Sequence, residues 1–526
     1  MSKALCLLLF AVICAVLSFH AVMAHPYKRH PDSPDSEVHT NSTGPLKLPN
    51  ARPPRGKRKF SSDAIEKVIA NMTKRMADKD LAMMFQNCFP NTLDTTIAWH
   101  KDSGNVPLTF VITGDIPAMW LRDSTNQVLP YIPYAPEDPA LQRLILGVIN
   151  MQAEQILSYP YGNAFRPPKE AQIKFQTNKW AQSDQVYPPY DASVVWEAKY
   201  ELDSLASFLR LSYRYFNATG DASFTKNPKW LEAAKLVVMT MRVQQKGTFE
   251  ELNHSAYNFT RLTRTTTETL SLNGIGNPVS QCGLIKSHFR PSDDSSIFPF
   301  LIPANAMAAV GLDQLAEILN AKDLAQELSK DARELSKQVR KAIDKYGIVT
   351  HPEFGRMYAY EVDGYGSHLL MDDANIPSLL SLPSLGFVKK DDPVYLTTRR
   401  FILSNWNPYY ARGKYPGIGS PHTGLQRPWP LAFAMQALTS TSDEEIKRML
   451  RTLRDTTGGT GLMHESFDVD NPSDFSRDWF AWANTVFGEL LLEVANERPH
   501  LLFPNDTEEK DNSNEREKSE EPDNSS

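Results

Sequence analysis

Cysteine is scarce in this chain, with four in 526 residues. Two of them, Cys6 and Cys14, fall in the first apolar segment. Cys88 and Cys282 are too few for a cysteine-based zinc site or a disulfide scaffold, and whether they pair or stay as thiols is open. An excess of positive charge is also missing. Lys and Arg number 56 against 62 Asp and Glu, a net charge of −6, so nothing in the balance attracts nucleic acid or an anionic membrane. There is no phosphate-binding loop, no dinucleotide fingerprint and no Gly-X-Ser-X-Gly elbow, which removes the usual routes to nucleotide and nucleophilic-serine chemistry. Glu465 follows His464, but the second histidine that a zinc-protease helix needs is absent. Beyond the first 24 residues no apolar run is long enough to cross a bilayer. What remains is a globular composition with 41% hydrophobic and 10% aromatic residues, enough for a large core.

The ends differ from the middle. A short positive start and the uncharged run Ala4–Phe19, closing near Val22-Met23-Ala24, read as a secretory signal over residues 1–24. Residues 25–59 are polar and Pro-rich and end in Arg52, Arg55, Lys57, Arg58 and Lys59. They are expected to be a disordered linker, because they offer little apolar surface to offset ordering entropy. The acidic stretch 501–526 is expected to be a disordered tail. Asn-X-Ser/Thr sequons at Asn41, Asn71, Asn217, Asn253, Asn258, Asn505 and Asn524 are candidate glycosylation sites. The expected location is outside the cell or in the endomembrane lumen, with no stable membrane insertion once the signal is removed.

Residues 60–500 form one segment dominated by helical periodicity. Val195, Ala198, Leu202, Leu205 and Leu209 step by three and four, as do Leu324–Ala342 and Trp479–Val494. Weaker signals near 62–77, 139–157, 230–242, 297–318, 393–404, 422–438 and 443–454 bring the total to about a dozen helices. Alternation of period two is rare, Leu108–Thr113 being one instance. The expected class is a single large all-α domain. A helical toroid also accounts for the dense polar and aromatic clusters between helices, since chemistry tends to sit on loops held by a rigid scaffold.

Five clusters could carry that chemistry. In Gly114–Ser124, Arg122 can hold a carboxylate or a pair of sugar hydroxyls, and Asp123 or Ser124 is placed to cap a helix. In Phe289–Ser296, Ser292 or Asp293 reads as the N-cap of a helix over 297–310. The adjacent Asp293 and Asp294 are expected to repel, raising the pKa of one toward that of a proton donor. Asp372-Asp373 lacks metal-ligand spacing, so no metal is expected there. His422 in the loop 417–424 and Glu465 in 461–467 complete the set. Carboxylates with aromatics are the equipment of glycosidic-bond hydrolysis, in which one acid protonates the leaving oxygen and a second carboxylate activates water or attacks carbon.

The motifs IPAMWLRDS, FRPSDDS, LMDDANIPSLL, GIGSPHTG, HESF and RDWFAWANTVFGELLLE, together with the stretch Cys88–Thr96, resemble glycoside hydrolase family 125 over about residues 60–497. The resemblance implies an (α/α)6 barrel and an exo-acting α-mannosidase for α-1,6 linkages, inverting, without metal or other cofactor. Carried over, it puts the general acid at Asp293 or Asp294, Asp293 being the first choice, and the general base at Glu465. Trp120, Arg122, Asp123, Arg290, Asp373 and His464 are implied to line the terminal-mannose subsite, with His422 a further candidate for substrate binding. An inverting pair is expected about 6.5–9.5 Å apart, against about 5–5.5 Å for a retaining one. The rival readings are a toroid glycosidase for another sugar or linkage, and a mannan-binding protein without turnover. The expected partner is a mannose-containing glycan, and the sequence leaves the oligomeric state open.

Overall fold

A computed structural model describes residues 40–252 and 254–503. The signal over 1–24, residues 25–39 of the linker, the sequons at Asn253, Asn505 and Asn524, and the tail from residue 504 lie outside the described residues.

Among the described residues twelve α-helices of two or more turns make the frame: α1 Asp63–Arg75, α2 Lys79–Cys88, α3 Leu121–Val128, α4 Pro139–Ser158, α5 Leu202–Thr219 and α6 Pro228–Val243 in the first half. The second half holds α7 Ile302–Ala321, α8 Gln326–Ala342, α9 Pro393–Ile402, α10 Pro430–Leu438, α11 Asp443–Asp455 and α12 Ala481–Glu497. Contacts run from α10 to α12, α3, α5 and α7, an inner path, while α8 backs α7, α11 backs α10, and α4 packs on α6. This is an α/α toroid, as the helical periodicity and the resemblance led one to expect.

The sequence separates inner from outer helices by how much of each is apolar. In α10 every residue from Pro430 to Leu438 is buried, and α7 is buried on every side from Ile302 to Ala309. A helix with no polar face belongs inside. In α11 only Ile446, Met449, Leu450 and Leu453 are buried, one stripe at spacings of three and four on an otherwise charged helix. Ser442 caps it by accepting from the Glu445 N–H at 3.3 Å. Inner helices also need close approach. A Cβ on Gly488 in α12 would lie 2.9 Å from the Phe89 Cα.

Among the described residues short strands make seven sheets of two or three strands, all within the connecting segments. One of them aligns three site-bearing segments, Met119–Trp120, Ala164–Phe165 and Val195–Glu197, antiparallel, with Trp120 opposite Ala164 and Ala164 opposite Glu197.

Several expectations are corrected here. Val195 and Ala198 do not share a helix with Leu202: residues 195–197 are a strand, and α5 starts at Leu202. Their spacing of three is coincidental, since sheet pairing decides the backbone there. Neither Ser292 nor Asp293 caps a helix. Residues 289–299 form turns, and α7 starts at Ile302, where Pro303 fits the first turn because its missing N–H is not needed. Likewise Asp123 and Ser124 lie inside α3, where the Ser124 hydroxyl donates to the Trp120 carbonyl at 2.7 Å.

Residues 40–59, expected to be disordered, lie against the domain. The buried Arg52 makes ion pairs with Asp94 at 2.7 Å and Glu66 at 2.6 Å, and the Asn87 side chain ties down Pro49 and Ala51. Specific polar partners, together with Leu48 buried in the core, order this strap, and composition cannot register them. Cys88 is buried and Cys282 half-buried, both as free thiols. Among the described residues no helix is long and apolar enough to cross a membrane.

Candidate active site

The clusters read from the sequence converge at one mouth of the toroid. Gly114 shows how two of them are joined. Its φ of +130° suits glycine, and a Cβ would stand 2.3 Å from the Trp479 carbonyl. The close approach pairs Gly114 with Phe480 and brings the loop before Trp120 against the loop carrying Arg477.

Asp293 sits at the centre. Its own backbone is left-handed at φ +68°, in a turn closed by Asp293 N–H to Arg290 O at 2.9 Å and Arg290 N–H to Asp294 O at 2.8 Å. Asp293 Oδ1 accepts from Asn163 Nδ2 at 3.2 Å and Trp120 Nε1 at 3.4 Å, with Arg122 at 3.9 Å. Lys199 Nζ donates to the Asp293 carbonyl at 2.7 Å. Burial pushes the Asp293 carboxyl up, but Lys199 and Arg122 outweigh it and hold it below the usual range. The expected raised pKa is therefore not found on Asp293, because its partners are cations rather than Asp294.

The raised acid is a neighbour. Glu201 shares a side-chain hydrogen bond with Asp293, and burial first, then Asp203 and Asp293, push it well above the carboxylate range against the opposing pull of Arg122. Asp203 is pushed up by burial to about 6 despite Arg122. Arg122 donates to Glu201 at 2.6 Å and to Asp203 at 3.3 Å. Asp123 Oδ2 lies 3.1 Å from Arg122 without hydrogen-bond geometry, so it remains a buried oxygen without a hydrogen-bond partner. Around this core Arg261 links Asp184, Glu197 and Glu268, and Lys199 reaches Glu268 at 2.9 Å.

Asp294 faces elsewhere. Its Oδ1 meets His422 Nδ1 at 3.2 Å, and its Oδ2 is buried without a partner. Burial pulls the imidazole down, yet the hydrogen bond and charge of Asp294, with Glu465 and Asp293 behind, push it up to about 10. Single ligand-type atoms of Asp294, His422 and Glu268 also lie within 4.8 Å of one another, a spacing that could hold a metal ion. A protonated imidazole opposes that use, since a metal needs the free nitrogen.

Glu465 lies across the site. Ser476 Oγ donates to its Oε2 at 2.9 Å, and Arg477 lies 3.7 Å from its Oε1, while Arg477 itself is anchored on Asp115. Asp373 is buried, bound by Asn375 Nδ2 at 2.8 Å and Ser420 Oγ at 3.1 Å. Arg290 is buried too, donating from Nε to Glu361 at 2.6 Å and leaving one Nη unpartnered.

His464 does not line the subsite. It is 1% exposed, stacked 3.6 Å from Phe475, and both ring nitrogens face carbonyl oxygens, of Arg477 and Thr457. It braces the loop that presents Glu465. Sequence reasoning overlooked Asn163, Lys199, Glu201 and Arg261. The signal was the charge-dense run Glu197–Asp203, hidden by its apparent helical spacing.

An α/α toroid whose mouth gathers opposed carboxylates, each held by cations and hydrogen-bond donors, defines a glycoside hydrolase. The chain belongs to glycoside hydrolase family 125, the metal-independent α-mannosidases, whose family model matches residues 78–492. It is 50% identical over 475 residues to the meiotically up-regulated gene 157 protein of Schizosaccharomyces pombe, covering 89% of this chain and 92% of that one. It is also 38% identical, with a TM-score of 0.77, to a Streptococcus pneumoniae metal-independent α-mannosidase solved as a non-productive complex with α-1,6-mannobiose. That match covers 84% of this chain and all of the other.

Proposed function

We propose that this α-mannosidase removes terminal α-1,6-linked mannose from a glycan with inversion, using Asp293 as the acid and Glu465 as the base. The observation that carries the reading is the close pair of carboxylates Asp293 and Glu201, both bound by Asn163 Nδ2 at 3.2 and 3.3 Å, with a separate carboxylate, Glu465, held by Ser476. Burial raises Glu201 well above the carboxylate range beside Asp293, so the pair can supply a proton to the site. Asp293 is the more exposed member, and it can pass that proton to the glycosidic oxygen while Glu201 resupplies it.

Glu465 is oriented by Ser476 through one oxygen. Its other oxygen is 3.7 Å from Arg477, beyond hydrogen-bond distance, and keeps lone pairs free to take a proton from water. The buried unpartnered atoms of Asp123, Asp294 and Arg290 match the need of a sugar ring for donors and acceptors, since buried polar groups seldom stay unpaired. The preference for the α-1,6 linkage is supported by the resemblance and by the disaccharide bound in the Streptococcus pneumoniae relative. Proton NMR of the first sugar released from α-1,6-mannobiose tests both points. β-Mannose is expected before mutarotation, whereas first-formed α-mannose overturns the acid–base scheme, and no release overturns the linkage.

The proposed location is extracellular or in the endomembrane lumen. The signal-like segment at 1–24 supports it, as do the exposed sequons Asn41, Asn71 and Asn217. Asn258 is half-buried in a strand and is the poorer acceptor.

A further inference from the structure

A second cavity, of about 260 Å³, lies beside the site and is lined by Pro117, Arg166, Lys169, Lys174, Phe175 and Trp196 among others. It is continuous with the site through the sheet that carries Trp120 and Glu197. Pro117 precedes the first of those strands, Arg166 follows the second, and Trp196 lies within the third. Trp196 also packs on the small cluster of Ala118, Trp120 and Ala164. A group held in this cleft therefore sits next to the residues that surround Asp293.

Two properties of its lining bear on what it could bind. First, it offers flat faces: the Arg166 guanidinium lies 4.4 Å from the Phe175 ring and 4.8 Å from the Trp196 ring, and Asn178 fixes the Trp196 backbone at 3.0 Å. Aromatic faces of this kind suit the C–H face of a pyranose. Second, its charge is of one sign. Arg166 donates to the backbone carbonyls of Ala192 and Gln176, and Lys169 and Lys174 are exposed. Among the described residues no carboxylate lies within ion-pair distance of any of the three. Asp191, whose carboxylate feels the charge of Lys169, has its Oδ1 taken by the Ser193 N–H at 2.7 Å. Glu170 is turned to Lys101 at 2.9 Å. In a chain of net charge −6, three cations with no carboxylate partner around one cleft are not explained by the fold.

We infer that this cleft binds the leaving-group side of the glycan and selects substrates that carry an anionic substituent there, such as a phosphate ester or a uronate carboxylate. The inference rests on the α-mannosidase reading of the neighbouring site. The sugar ring lies against Trp196, and the anion is met by Lys169, Lys174 and the remaining donors of Arg166, whose planar fork suits phosphate and carboxylate alike.

The test uses three matched α-1,6-mannosides whose leaving-group sugar carries a neutral mannose, a mannose phosphate or a uronate. At low ionic strength kcat/KM for at least one anionic substrate is expected to exceed the neutral one by about tenfold, the effect of a hydrogen bond to a charged group. The advantage should shrink toward about 0.15 M salt, because exposed charges are screened. A preference for the phosphate over the uronate identifies the phosphoryl group, the reverse identifies the carboxylate, and equal gains identify charge alone. In the Lys169→Ala/Lys174→Ala double variant the ratio of anionic to neutral kcat/KM is expected to fall toward one. Equal kcat/KM for all three in the unaltered protein, or a ratio that survives the double substitution, overturns the inference. Should none be hydrolysed, the α-1,6 reading of the neighbouring site fails instead. Calorimetric titration of the same three compounds then decides the cleft: tighter binding of an anionic one upholds it, and equal binding overturns it.

Discussion

Asp293 and Asp294, adjacent in the chain, give their carboxylates to different partners: Asp293 Oδ1 takes the Asn163 amide at 3.2 Å, and Asp294 Oδ1 takes the His422 imidazole at 3.2 Å. The left-handed backbone at Asp293 separates them. Two carboxyls that looked like a mutually repelling pair thus serve two separate networks, one joined to Glu201 through Asn163 and one pairing with His422.

This division sets different outcomes for the two substitutions. Asp293→Asn is expected to lower kcat by about 10²–10⁴-fold on α-1,6-mannobiose, the usual contribution of a general acid. Most of the loss should disappear on an α-mannoside with a strongly acidic phenol as leaving group, which needs no protonation. Asp294→Asn should lose activity on both substrates alike. If the activated substrate rescues Asp294→Asn rather than Asp293→Asn, the acid is Asp294.

Glu465→Gln keeps the size and the acceptor for Ser476 but cannot take a proton from water. Turnover is expected to fall by about 10²–10⁴-fold with mannobiose binding retained by calorimetry and the circular dichroism unchanged. Because water activation is needed whatever the leaving group, the activated mannoside should not rescue it. Activity near that of the unaltered protein removes Glu465 from the role of base.

The imidazole of His422 holds its proton up to about 10 in the folded protein, against about 6.5 in an unfolded chain. A raised folded value means that the stabilisation is complete below about pH 6.5 and is lost as pH rises through about 10. The difference in Tm between the unaltered protein and His422→Gln should therefore be largest near neutrality and shrink at alkaline pH. A difference that grows with pH would contradict the protonated pairing with Asp294.

Removing the strap's anchor tests a structural claim. Arg52 is enclosed by Asp94 and Glu66, so Arg52→Ala leaves the buried Asp94 without its closest cation. About 3–5 kcal/mol of stability should be lost in urea unfolding, as is usual when one partner of a buried pair is deleted. A change within about 0.5 kcal/mol, the range of an ordinary surface substitution, would mean that residues 40–59 are not held as described.

How legible this was in the sequence depended on the range of the forces involved. Inner and outer helices could be told apart because apolar periodicity is local: the stripe Ile446, Met449, Leu450, Leu453 can be read without knowing what it meets. Helix starts were less legible where a proline or a strand set them, as at Pro303, Pro430 and Val195. Glu201 and Lys199 escaped notice because their partners Arg122, Glu268 and Asp293 come from segments remote in sequence. His464 was misplaced for the opposite reason. Its neighbour Glu465 belongs to the site, and adjacency in sequence does not tell which of two successive side chains faces inward.

The strap has a bearing on how the protein matures. The basic run Arg52–Lys59 has the look of a site for a processing protease, yet Arg52 and Arg58 are both committed to Glu66 and Asp94. An enzyme that reads dibasic pairs must draw a side chain into its own pocket, and Arg58, common to the pairs Lys57-Arg58 and Arg58-Lys59, is already held by the domain. Once folding has closed those ion pairs, trimming there requires the fold to open first. The same residues that advertise cleavage in the nascent chain conceal it in the finished one.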